Sequence, residues 1–97
     1  MKEQTMNLFE CLMKYEPRAT HYRHLYAAFL RGAVDAAEGG YYPPPSRDRA
    51  SAYRAGAWAA VAGYIPITNP NGIHDLIITI ENGKDEDLPV FTEGALQ

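Results

Sequence analysis

Ala28-Phe29-Leu30-Arg31-Gly32-Ala33-Val34-Asp35-Ala36 and Ala52-Tyr53-Arg54-Ala55-Gly56-Ala57-Trp58-Ala59-Ala60 share one rhythm. In each, a glycine stands midway between two alanines, and the three small residues step by four: Ala28, Gly32, Ala36 and Ala52, Gly56, Ala60. Steps of four trace a ridge along one side of an α-helix, and a ridge without side-chain bulk lets two backbones come close. Glycine inside a helix costs about 1 kcal/mol relative to alanine, so a glycine in both rows points to a contact where distance matters. The two stretches predict a close antiparallel helical hairpin.

The surrounding sequence sets the limits of these helices. The second helix is expected over 20–39, opening at Thr20 and ending at Gly39-Gly40, with Tyr22, Leu25, Tyr26, Phe29 and Ala33 on one arc and Arg23, Arg31, Asp35 and Glu38 opposite, facing water. Tyr41-Tyr42-Pro43-Pro44-Pro45 forces an extended connection, because each proline fixes φ and restrains the residue before it. Ser46 is placed to cap a third helix over 46–62. Upstream, Leu8, Phe9, Leu12 and Met13 recur at helical spacing between Thr5 and Pro17, giving a first helix over 5–16.

Past Gly63 the character changes. Leu76-Ile77-Ile78-Thr79-Ile80 is β-branched and bounded by Asn82-Gly83, which reads as a strand. Leu88-Pro89-Val90-Phe91-Thr92 reads as a second, edge strand, with Lys84-Asp85-Glu86-Asp87 as the loop between them. Residues 64–92 thus form a strand and loop region, and the expected fold class is α+β: one small domain over 1–97, three helices with a close hairpin, and a short C-terminal β element.

Composition bounds the class of protein. With 97 residues, 46% apolar and 22% charged, the chain suits one small globular domain, and no apolar run approaches the roughly 20 residues of a membrane span. No membrane partner is expected. One cysteine cannot form an internal disulfide, and no leader-like segment opens the chain, so a cytoplasmic setting is expected. The net charge of -3 is unevenly spread. Arg18, Arg23, Arg31, Arg47, Arg49 and Arg54 outweigh three acids over 17–60, whereas over 61–97 Lys84 stands against six acids. Every cation of the middle is arginine, whose planar fork suits phosphate, carboxylate and aromatic faces.

Few residue patterns carry chemistry. His21 and His24 are three apart, but His74 and Cys11 are remote from them, so no metal and no cofactor is expected. Cys11 reads as a small core residue. Asp35 with Glu38, and Asp85 with Glu86 and Asp87, fall on a wet face and in a polar loop, where nothing would raise a carboxyl pKa for acid catalysis. No enzyme is expected. The sharper feature is Arg47, Ser51, Arg54 and Trp58 on one narrow arc of the third helix, extended by Arg49 and Tyr41-Tyr42. An exposed tryptophan four residues after an arginine suits a protein hot spot or a stacked base. Trp58 equally suits an anchor on which the C-terminal strands pack. Asp85, Glu86 and Asp87 form a second candidate partner-binding surface, complementary to a basic partner.

The segment from Arg31-Gly32 through Gly39, the proline connection, and Tyr53-Arg54-Ala55-Gly56-Ala57-Trp58-Ala59-Ala60 resembles the bacterial ribosome modulation factor and its short relatives. The resemblance covers residues 31–60, with Ala57 set between the glycine and the tryptophan that are adjacent in the family. It implies the helical hairpin and contact with ribosomal RNA. In size, acidity and lack of catalytic motifs the chain also looks like small phage-encoded inhibitors, including anti-CRISPR proteins. The expected function is non-catalytic binding that modulates or inhibits a larger protein or ribonucleoprotein assembly. Two alternatives stand beside it: a ribosome- or RNA-associated factor, and a homo-oligomer using the Leu76–Ile80 strand edge or the small-residue seam.

Overall fold

The computed structural model describes residues 8–63, 67 and 69–83. Four α-helices follow in order: α1 (Leu8–Tyr15), α2 (Arg23–Ala37), α3 (Arg47–Val61) and α4 (Pro70–Glu81), with a 3-10 turn over Pro17–Thr20. Among the described residues there is no strand, and no helix is long and apolar enough to cross a membrane.

Helix α2 is the hub. Leu25 through Leu30 are all buried, as are Gly32, Ala33 and Val34, because α3 covers one side, α4 another and the 3-10 turn a third. The core is completed by Cys11, Leu12, Ala19, Ala52, Tyr53, Ala59, Ile73, Ile77 and Ile80. The α2–α3 contact lies on the small-residue rows. A Cβ added to Gly32 would overlap the carbonyl of Tyr53, standing 2.8 Å from its carbon and 3.1 Å from the backbone nitrogen of Ala57. A Cβ on Gly56 would do the same to Phe29, at 2.9 Å from the carbonyl carbon and 3.1 Å from the nitrogen of Ala33. Residue 32 facing 53 and 57, with 56 facing 29 and 33, makes the pair antiparallel. Backbone touches backbone here, so not even a methyl group fits.

The predicted start of α2 shifts. Helix α2 starts at Arg23 rather than Thr20, since Pro17 opens a separate 3-10 turn that ends at Thr20 and Tyr22 sits in extended backbone as the N-cap. Its C-terminus is closed as expected by Gly39 at φ 88°, whose N–H donates to Ala36 O while that of Gly40 donates to Asp35 O at 2.8 Å.

The α+β expectation is overturned. Leu76–Ile80, read as a strand, lies inside α4. Asn69 caps that helix by accepting the Gly72 N–H at 3.1 Å, Pro70 occupies the first turn where its missing N–H is not needed, and Ile73, Ile77 and Ile80 are buried at steps of four and three while Ile78 is exposed. That is a helical period, and burial against α2 outweighs the β preference of branched side chains. The supposed second strand, Leu88–Thr92, lies outside the described residues. Being helical, Leu76–Ile80 offers no strand edge for self-association, and the small-residue seam is used within the chain itself.

Helix α4 also changes the reading of the outer face of α2. Arg31 pairs with Glu81 at 3.0 Å and Glu38 with His74 Nε2 at 3.1 Å, so α4 runs antiparallel along a face expected to meet only water.

Candidate binding surfaces on either side of the connection

The connection from α2 to α3 is held by one hydroxyl. The Tyr53 ring is fully buried, and its O–H donates to Asp35 Oδ2 at 2.5 Å and accepts the Tyr42 N–H at 2.7 Å. Burial, reinforced by the Asp35 carboxylate, pushes the Tyr53 phenol up to about 12. The phenol therefore stays neutral and keeps donating. Tyr41 stacks edge-on against Tyr53, with ring centroids 5.5 Å apart. Tyr42 precedes a proline and is restricted to extended backbone, so adjacent residues 41 and 42 contribute to different hollows.

On the Tyr41 side lies a groove of about 570 Å³ lined by Ala36, Gly39, Gly40, Arg54, Ala57, Trp58 and Val61. Its floor is small because the alanine and glycine residues contribute little bulk. Its walls are large and unusually open to solvent: Tyr41 is 52% exposed, Trp58 48% and Val61 77%. Trp58 is held from behind by Tyr15, whose ring meets it edge-on at 4.9 Å. Of the two strands that Trp58 was expected to anchor, Leu76–Ile80 is helical and Leu88–Thr92 lies outside the described residues.

On the Tyr42 side lies a cavity of about 450 Å³, lined by Arg23, His24, Ala28 and Arg31 of α2, Tyr42 and Pro44 of the connection, Arg49 and Tyr53 of α3, and Glu81 of α4. Three guanidinium groups from two helices converge there against one carboxylate.

The predicted arginine and tryptophan arc is thus divided. Arg54 and Trp58 share the groove, Arg49 faces the cavity, and Arg47 is exposed at the start of α3 and lines neither. Asp85, Glu86 and Asp87 lie outside the described residues. Sequence reasoning missed Arg23, His24 and Arg31 as a group because it placed the α2 arginines on a featureless wet face. The signal available was the all-arginine cationic middle of the chain combined with the helical spacing of Arg23, His24, Ala28 and Arg31.

Neither hollow presents a reactive nucleophile. Cys11 is fully buried in the core, and burial, together with nearby Glu10 and against the opposing pull of Lys14, pushes its thiol up to about 11. Among the described residues, no three His, Cys, Asp or Glu side chains are grouped to hold a metal ion. No protein-family model, curated protein or solved structure matches the chain.

Proposed function

We propose that the chain is a non-catalytic binding protein that modulates or inhibits a larger protein or ribonucleoprotein assembly, and that it engages its partner through the groove around Trp58. The observation that supports this reading is the meeting of Tyr41, Trp58 and Val61, each about half exposed or more, around Arg54. Exposed aromatic side chains grouped in a concavity mark contact surfaces, because covering them removes much apolar area from water for little loss of side-chain freedom. A tryptophan and an arginine are also the residue types that most often dominate interface energies. The partner surface that fits is an apolar anchor for the groove with a carboxylate beside it for Arg54, a fork that favours planar anions.

The test begins with a photo-crosslinking residue at Val61 of the full chain, which identifies the protein it captures, followed by calorimetry with that protein purified. Trp58→Ala should weaken binding by about 30-fold or more, the loss expected of an interface hot spot. If Trp58→Ala binds like the native chain while charge reversal at Asp85, Glu86 and Asp87 abolishes the complex, the contact is the acidic stretch and the groove reading is wrong.

A further inference from the structure

The arginine cavity is separate from the groove and asks for a different ligand. In a chain of net charge -3, its lining carries Arg23, Arg31 and Arg49 against Glu81 alone, and His24 adds a further nitrogen ligand for an anion. Glu81 is already engaged by Arg31, while Arg49 has no ion pair among the described residues. The cluster also runs against local helix preference. The first turn of α2 begins with Arg23 and His24, contains no acid, and receives no side-chain cap from Tyr22. The Arg23 cation at that end faces the positive pole of the helix, an arrangement that an anion would relieve.

The cavity also has an aromatic wall. Tyr42 is 74% exposed, yet its backbone is fixed by the Tyr53 hydroxyl and followed by three prolines, and its ring lies over Gly40, where an added Cβ would come within 2.6 Å of Cε2. An exposed ring on a restrained backbone is a stacking platform that loses little freedom on binding. The volume, about 450 Å³, lies in the range of small-molecule sites.

From this arrangement we infer that the cavity binds a nucleotide, with Arg23, Arg31 and Arg49 taking the phosphate and the Tyr42 ring stacking on the base. The same chemistry is presented by a free mononucleotide and by a nucleotide within a single strand of RNA. Calorimetry on the full-length chain at low salt distinguishes them, using adenosine and guanosine mono- and triphosphates, inorganic pyrophosphate, and an eight-nucleotide oligouridylate.

A free nucleotide as the ligand gives a dissociation constant below about 1 mM for at least one mononucleotide, with no gain for the oligonucleotide per nucleotide. A strand as the ligand gives tighter oligonucleotide binding that falls steeply with salt. In either case Arg49→Ala should weaken binding about tenfold through loss of a charge-assisted contact. Tyr42→Ala should weaken nucleotide binding by about the same factor while leaving pyrophosphate unchanged. Both side chains are exposed, so folding is preserved, and unchanged circular dichroism checks this. Glu81→Gln, which releases Arg31 from its ion pair, should tighten binding. Failure of every nucleotide and oligonucleotide to bind, or binding indifferent to Arg49→Ala and Tyr42→Ala, overturns the inference. Trp58→Ala separates this site from the groove. It should leave nucleotide affinity unchanged, and an equal loss there would move the ligand to the groove and sink the assignment to the cavity.

Discussion

Tyr53 ties three parts of the chain with one oxygen: its own helix, Asp35 of α2 and the backbone of Tyr42. Replacing it with phenylalanine removes a donor and an acceptor from a buried site and should cost about 1–3 kcal/mol. The effect depends on pH. The folded phenol titrates near 12 rather than the ordinary 10, so its contribution is whole below pH 10 and is lost as pH rises through 12. Urea unfolding at pH 8 and pH 11 should therefore show a drop in native stability that Tyr53→Phe makes smaller. Burial also raises the Tyr26 phenol, so the variant is expected to reduce the alkaline loss without removing it. An alkaline loss of equal size in both proteins would deny Tyr53 this role. None of this was legible in the sequence, because the partners of Tyr53 stand 18 and 11 positions away and only the folded connection brings them to its hydroxyl.

The α2–α3 pair was the most legible element of the chain, since glycine and alanine at steps of four reveal a near-contact without any knowledge of the rest. The structure adds how tight it is. Gly56→Ala gains about 1 kcal/mol of helix preference but drives a methyl group into the Phe29 carbonyl, and overpacking costs about 1–3 kcal/mol or more where backbone must move. A net loss of about 2 kcal/mol should lower the melting temperature by about 10 °C in a domain of this size. A Gly56→Ala protein that melts higher than the native one would show that the helices have room to spare. Helix α4 was misread at the same scale. Five apolar and β-branched residues in a row are ambiguous by themselves, and the deciding signals lay outside them: Asn69-Pro70 as cap and first helical residue, and Ile73 one step ahead of the run.

At the scale of the molecule, every described element except α1 packs chiefly on α2, and α1 joins through the 3-10 turn and α3. No pair of helices encloses a core that excludes the others. Unfolding should accordingly be one transition, with far-UV circular dichroism and the fluorescence of Trp58, which reports the Tyr15 contact, superimposing in urea. Two separated transitions would mean that α1 or α4 comes away independently. The whole-molecule charge balance hinted at a cationic region, yet it did not show which arginines converge, because Arg49 reaches the α2 cluster only through the hairpin. The short connection has one more consequence. Tyr41 and Tyr42 are a partition two residues thick, each papering the room on its own side, and the Tyr53 oxygen nails that partition in place. Deleting either residue between Gly40 and Pro43 would leave a single ring to serve two chambers, so binding on at least one side of the partition should be lost although every helix still stood.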